Sequence, residues 1–304
     1  MSHPTQDDLC QRAYPYDSPE SVLSYRPDRA CLDLSLPPVD TVFDLHGDPT
    51  VADLVILFNG NQFMVVEELL SVFRQHYPSV KHVFYETLPP GMLAQQARGM
   101  PLRIGNLTLS LQADVITTGA DDMRSLIQEQ QVQRSIVYAE NTLAILVASG
   151  NPLDIRGLAD LARPEVRVAM PNPAFEGVGR LIVRAYEQVG GSALVKTIME
   201  QKVADGTTYL TRIHHRQTAL RILEGRADAG PLWISEALFQ QRLQNAVELI
   251  PIADTYNQRG TYHAALLTQA PHAQAASALL DFMQAPTAQR IYMQYGFRLP
   301  GGRA

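Results

Sequence analysis

The sequence predicts an α/β protein folded as two lobes behind an irregular N-terminal extension. Three observations support this fold class. The chain has 304 residues, more than one single-core domain usually holds. From residue 54 onward, strand and helix patterns alternate, which is typical of a largely parallel sheet. The hydrophobic share of 46% and the charged share of 18% are ordinary for a globular protein.

The extension, residues 1–50, differs in composition from the rest of the chain. It contains seven prolines, nine acidic residues and three arginines, with no helical period, so we predict an irregular acidic, proline-rich arm. The remaining residues carry 22 charges of each sign. A neutral body without a basic stripe argues against a nucleic-acid partner. No apolar run approaches the roughly 18 residues of a membrane span, so membrane insertion is not expected.

The first residues show no basic start, apolar stretch or small-residue cleavage site of a secretory signal. We therefore expect a cytoplasmic location, with a periplasmic one as the alternative if a signal was removed. Cys10 and Cys31 are the two cysteines, too few for a zinc site or a disulfide framework. We interpret them as free thiols, or as a single bridge if the protein is exported.

The first predicted lobe is a series of βα units with buried apolar strands and amphipathic helices. Its predicted strands are 54–58, 80–85 and 114–118, and its predicted helices 63–73, 92–98 and 121–130.

The second series has predicted strands at 141–147, 166–170 and 227–233, and helices at 158–162, 179–188, 193–201 and 218–224. Segments 247–252 and 262–268 and helices 271–284 and 287–295 then complete the chain. If the last helices return to the first lobe, the lobes comprise 51–140 with 250–304, and 141–249. The chain then crosses between lobes near residues 140 and 250.

Ligands of open α/β sheets bind beyond the carboxyl ends of the strands, where helix N-termini present free N–H groups. Several strand-to-helix junctions carry small or capping residues there. These junctions are Asn59-Gly60-Asn61, Pro89-Pro90-Gly91, Thr117-Thr118-Gly119, Gly177-Val178-Gly179 and Arg216-Gln217-Thr218.

The order of several segments over about residues 54–297 resembles the molybdate-binding family, type II periplasmic substrate-binding proteins of ABC importers. The resembling segments are Val55-Ile-Leu-Phe-Asn-Gly-Asn-Gln-Phe, Met92-Leu-Ala-Gln-Gln, Ala113-Asp-Val-Ile-Thr-Thr, Asn141-Thr-Leu-Ala-Ile-Leu-Val-Ala-Ser-Gly-Asn-Pro, Leu158-Ala-Asp-Leu-Ala-Arg-Pro, Pro171-Asn-Pro, Gly225-Arg-Ala-Asp-Ala-Gly, and Phe282 through Tyr295-Gly296-Phe297.

The resemblance implies a type II periplasmic-binding-protein-like fold with two crossovers and a tetrahedral oxyanion, such as molybdate or tungstate, held between the lobes by hydroxyls and backbone N–H groups. The implied contacts are Asn61, Gly91, Thr118, Gly119, Val178, Arg216 and Trp233, and His215 beside Arg216 completes our candidates. An ABC importer or a regulatory protein is the implied partner, for transport or sensing.

The chain departs from the family pattern in places. Asn61 and the Pro-Pro-Gly turn stand where small hydroxyl residues are usual, and Trp233 stands for a tyrosine, which changes the size and hydrogen bonding of the site. Glu86 and Glu176 would repel an oxyanion if they pointed into the cleft, and would suit a cation or an amine.

Each candidate also has a structural explanation. Asn61 can cap a helix, the Pro-Pro-Gly turn can simply open one, and Trp233 can cover a core. Gly177-x-Gly179 lacks the third glycine of a dinucleotide fingerprint, so no cofactor is expected. His214-His215 fits a solvated loop, an anion site, or a metal site with Glu86, Glu176 or His263.

The alternative functions are a metal-ion or small organic ligand binding protein, or an enzyme on the same fold that uses His214 and His215. No nucleophile elbow, zinc-protease or Walker motif is present, so we expect no enzyme.

Overall fold

The computed structural model describes residues 44–301 except 105–106, 175, 212–213 and 215. Most of the predicted extension, both cysteines and His215 lie outside the described residues. The strands are β1 Asp44–His46, β2 Leu54–Asn59, β3 Val83–Leu88, β4 Leu102–Ile104, β5 Leu107–Leu109, β6 Val115–Gly119, β7 Val132–Ala148, β8 Val168–Met170, β9 Thr208–Leu210, β10 Ala229–Trp233, β11 Val247–Pro251 and β12 Arg259–Leu267.

The main helices follow the predicted order, with ends shifted by a few residues. They are α1 Val66–His76, α2 Pro90–Ala97, α3 Ala120–Gln128, α4 Gly177–Lys196, α5 Arg216–Leu223, α6 Ile234–Arg242, α7 Ala273–Gln284 and α8 Pro286–Gln294. Gly60–Gln62 and Leu158–Ala162 form 3-10 turns, and a π turn, Thr197–Gln201, follows α4. The break predicted between two helices near residue 190 is a kink in α4, where Gly191 adopts a φ of 62°.

Two lobes are built on one strand order, β1-β3-β2-β6-β12-β7-β10-β8-β9. We call β1–β6 and β12 with α1–α3, α7 and α8 the first lobe, and β8–β11 with α4–α6 the second. Strand β7 belongs to both: its first part pairs with β12, from Val132 to Thr142, and its last part pairs with β10 and β11. The predicted α/β fold of two-lobed type is confirmed.

The chain passes between the lobes in β7 and again between β11 and β12. These passages are near the predicted crossings at 140 and 250, and the lobe boundaries themselves stay a prediction. Within the predicted extension, Asp44–His46 forms β1, which pairs antiparallel with β3 at the edge of the sheet.

Strand β2 shows why the first lobe folds here. All six of its residues are buried, because side chains of alternating direction enter two different cores. Leu54, Ile56 and Phe58 pack toward α1, whereas Val55 and Leu57 pack toward α2 and α3. The carboxyl ends of the parallel strands β2, β3 and β6 therefore meet at one edge, facing the second lobe.

Candidate functional site

A cleft of about 220 Å³ lies where the two lobes meet. Its first-lobe wall contains the end of β2 and the first turn of α3, and its second-lobe wall contains the first turns of α4. The lining residues are Asn59, Pro90, Gly119, Ala120, Asp121, Asp122, Glu176, Gly177, Val178, Arg180, Leu181, Arg184, Trp233, Arg259, Gly260, Thr261 and Tyr262. The cleft thus occupies the position that ligands of open α/β folds use.

Helices of opposite lobes begin at this cleft. Gly119 precedes α3 and Glu176 precedes α4, and within the described residues neither N-terminus has a side-chain cap. The first N–H groups of an α-helix have no intrahelical partner and carry a partial positive charge. The two helix starts therefore offer the cleft a set of donors suited to an anion.

Asn59, the last residue of β2, brings a polar side chain into the cleft. It is 6% exposed, and its backbone N–H donates to Thr117 Oγ1 at 2.8 Å. In the described part of the chain its side-chain amide has no hydrogen-bond partner. Because Asn59 lines the cleft, this amide can form a hydrogen bond with a ligand there.

Two acidic and two basic residues of the cleft belong to opposite lobes. Asp121 and Asp122 belong to α3 in the first lobe, whereas Arg180 and Arg184 lie one turn apart on α4 in the second.

Several charged side chains of the cleft have partners within the protein. Arg259 forms an ion pair with Glu140 at 2.9 Å, and Asp122 accepts the Thr118 hydroxyl at 3.3 Å. Glu176 is buried, lines the cleft and accepts the Thr211 hydroxyl, so a negative charge stands beside the arginines at the start of α4.

Trp233 forms one wall of the cleft and is 6% exposed. Its ring lies 5.8 Å from that of Tyr262 and directly on Gly260, where an added Cβ would stand 2.3 Å from the indole. Trp233 therefore belongs to a core and also lines the cleft.

Arg216 lies behind the cleft and joins the lobes. From α5 its guanidinium donates to Gly60 O at 2.7 Å and to Thr87 Oγ1 at 2.9 Å, both at the carboxyl ends of first-lobe strands. It also stacks over the Phe63 ring, 4.1 Å from the centroid. Arg216 therefore holds the second lobe against the ends of β2 and β3.

Asn61 and His214 belong to the same interlobe contact. Asn61 is fully buried and donates to the Tyr262 hydroxyl. His214 accepts a hydrogen bond from Arg216 N at 3.2 Å, and its ring lies so close to Gly60 that an added Cβ would stand 2.0 Å from Nε2. Burial raises the pKa of Tyr262 well above its usual value, which keeps this phenol a neutral acceptor.

The structure thus separates the predicted site residues into groups. Gly119, Val178 and Trp233 line the cleft. Asn61, Thr118 and Arg216 are buried beside it, Gly91 is exposed one residue after the lining Pro90, and His215 lies outside the described residues. Ligand contact by any of them stays a prediction.

Sequence reasoning missed several cleft residues, namely Asn59, Arg180, Arg184 and Arg259. Arg180 and Arg184 could have been found, since their spacing of four places them on one face at the start of a predicted helix. Asn59 belongs to the same strand-to-helix junction as Asn61, the residue that the sequence analysis predicted as the contact.

The alternatives involving a metal gain no support. Among the residues that the structure describes, no group of three or more His, Cys, Asp or Glu side chains could hold a metal ion. Glu86 lies under α2, where Gln96 donates to it, away from Glu176 and His214.

The chain belongs to the family of bacterial extracellular solute-binding proteins, whose model matches residues 54–298. It is 28% identical over 163 residues to the molybdate-binding protein ModA of Mycobacterium tuberculosis, a match of 54% of this chain and 56% of that protein. The chain thus spans about half the length of the curated relatives it matches.

Two solved structures share the fold. The periplasmic molybdate-binding protein of Azotobacter vinelandii superposes with a TM-score of 0.66 at 18% identity, covering 81% of this chain and 99% of that one. The sulfate-binding protein SubI of Mycobacterium tuberculosis gives 0.64 at 18% identity, covering 82% and 86%. The predicted resemblance to this class of protein is confirmed.

The prediction of a cytoplasmic location is wrong. The family is one of extracellular solute-binding proteins, and family membership over residues 54–298 outweighs the composition of the first few residues as an indicator of location. In the described part of the chain, none of the helices combines the length and apolar character needed to cross a membrane.

Proposed function

We propose that this chain binds a small oxyanion in the interlobe cleft, with molybdate and tungstate as its simplest candidates, passes the ligand to an ABC importer, and catalyses no reaction. The main support is that α3 and α4, from opposite lobes, begin at one cleft, and within the described residues neither start has a side-chain cap. Such helix N-termini stabilise an anion through N–H groups and the helix dipole.

The other polar groups of the cleft support an anion as well. Asn59 adds an amide donor, and Arg180 and Arg184 add positive charge beside the start of α4. The relative and the two structures described above are named for molybdate or sulfate, which are both tetrahedral oxyanions. Closure of the lobes about the two passages between them would enclose the ligand.

The backbone donors can be tested one at a time. Gly177 is the first residue of α4, and the preceding Glu176 has extended backbone, with φ −112° and ψ 126°. Proline is tolerated at this first helical position and after an extended residue. The substitution Gly177→Pro therefore removes one N–H donor without breaking the helix, and Gly177→Ala keeps that donor as the matched control.

Isothermal titration with molybdate, tungstate, sulfate and phosphate is the experiment. At least one anion should bind the wild type, and Gly177→Pro should weaken it about tenfold or more, because a hydrogen bond to a charged group contributes about 1.5–3 kcal/mol. Gly177→Ala should bind like the wild type. Equal affinity of the proline and alanine variants would contradict binding of the anion by the start of α4. Absence of binding by every anion would refute the proposal.

A further inference from the structure

The cleft is larger than a bare tetrahedral oxyanion needs. Its volume of about 220 Å³ exceeds the space that four oxygens around one central atom occupy. Further groups of a ligand therefore fit beside a tetrahedral head group.

The lobes are already in contact behind this space. Arg216 donates to Gly60 O and to Thr87 from the opposite lobe, and the rings of Phe63 and Phe239 meet edge to face at 5.3 Å. These contacts hold the second lobe on the ends of β2 and β3 behind the cleft.

Part of the cleft wall is apolar. Val178, Leu181, Trp233 and the ring of Pro90 lie along it beside the polar groups. A fully hydrated small ion gains little from such a surface, whereas carbon atoms of a ligand lose water against it. The wall therefore favours a ligand with an organic body.

The acidic wall adds a second requirement. Asp121 and Asp122 line the cleft opposite Arg180 and Arg184, and ionised carboxylates only accept hydrogen bonds. They repel a compact dianion but accept bonds from hydroxyl or amino groups. The two walls thus match a ligand whose negative charge is at one end and whose donors are at the other.

Asn59 lies on the first-lobe wall, and its side-chain amide has no hydrogen-bond partner within the described residues. An amide both donates and accepts. It can therefore donate to an oxyanion and accept from a neighbouring hydroxyl or amino group of the same ligand.

We infer that the ligand is an organic oxyanion: a phosphate or carboxylate head group on a short body that bears hydroxyl or amino groups. This inference rests on the proposed function, because the head group uses the start of α4 with Arg180 and Arg184. The donors of the body face Asp121 and Asp122, and its carbon atoms lie against Trp233.

The test is titration calorimetry of the full chain with matched pairs of anions. The pairs are inorganic phosphate against sn-glycerol 3-phosphate and O-phosphoserine, and acetate against glycerate, with molybdate as the bare reference. At least one organic member should bind ten times tighter than its bare partner and than molybdate. If molybdate or phosphate binds as tightly as every organic member, the inference is overturned while the proposed function stands. If no anion binds, both fall.

The variant Asp122→Asn should change the affinities for an organic anion and for inorganic phosphate in opposite directions. Its amide oxygen can still accept the Thr118 hydroxyl, which Asp122 accepts at 3.3 Å, so the start of α3 is preserved. Affinity for the best organic anion should fall about fivefold or more, because a neutral acceptor is weaker than a charged one. Affinity for inorganic phosphate should rise, because a repelling charge is gone. A parallel change for both compounds would overturn the inference.

Discussion

Replacing Asn59 with alanine should weaken ligand binding and leave folding almost unchanged. The Asn59 amide is buried at the cleft and has no partner among the described residues, whereas its backbone N–H keeps its bond to Thr117 in the variant. One hydrogen bond to a charged ligand contributes about 1.5–3 kcal/mol. At 1.4 kcal/mol for each factor of ten, Kd should rise about 10- to 150-fold.

Asn61→Ala is the matched control, two residues away. Asn61 is fully buried and donates to the Tyr262 hydroxyl while accepting from Gln62. Its loss leaves buried polar groups unpaired, which costs about 1–3 kcal/mol of unfolding free energy.

The assay combines isothermal titration with each anion and urea denaturation of both variants without ligand. We expect an affinity defect in Asn59→Ala and a stability defect in Asn61→Ala. The reasoning about Asn59 is refuted if its variant binds like the wild type, or if it loses as much stability as the Asn61 variant.

Three further predictions concern stability, each measured by urea denaturation. Arg216→Met should lower the free energy of unfolding by about 2–4 kcal/mol, because buried oxygens of the first lobe lose their donor. The control Arg156→Met removes an ion pair whose side chains are 80% and 69% exposed, and should cost under about 1 kcal/mol. Equal losses in the two variants would contradict the interlobe role of Arg216. Gly260→Ala should lose about 1–3 kcal/mol, because its Cβ would stand 2.3 Å from Trp233, and a neutral outcome would show that the indole moves freely. Burial raises the pKa of Glu86 to about 7 from the usual 4.5, so the folded state favours the protonated carboxyl. The free energy of unfolding should therefore decline by roughly 3 kcal/mol in all as pH rises from about 4.5 through 7. Glu86→Gln should remove this decline, and an unchanged pH profile in the variant would contradict the assignment.

The order of strands and helices was predictable because local patterns decide it. Apolar runs bounded by turn residues gave β2, β6 and β10, and the helical spacing of Val66, Leu69, Leu70 and Phe73 gave α1. The gap between the predicted helices 179–188 and 193–201 likewise matches the kink in α4 at Gly190 and Gly191.

Two strand features were not predictable from local patterns. The first part of β7 begins with half-buried and exposed residues at 132–135 and includes the charged residues Arg134 and Glu140, so its polarity hid a strand that pairing with β12 stabilises. The short β4–β5 hairpin gave too few residues for a period.

The candidate site was predicted only in outline. Strand ends and helix starts indicated where a ligand binds, and Gly119, Val178 and Trp233 do line the cleft. Whether Asn59 or Asn61 faces the cleft depends on the 3-10 turn Gly60–Gln62, which local sequence patterns did not reveal. The sequence could not show that Arg216 joins the lobes instead of contacting the ligand, because its partners are main-chain and hydroxyl oxygens distant in sequence.

The location of a bound oxyanion tests the central claim most directly. Crystals of the full chain soaked in tungstate, with anomalous difference density measured at the tungsten edge, would locate the metal atom. The account predicts one strong peak between the start of α3 at Ala120 and the start of α4 at Gly177, within hydrogen-bonding reach of Asn59. A peak elsewhere on the molecule, or an empty cleft at tungstate concentrations that saturate binding in solution, would contradict it.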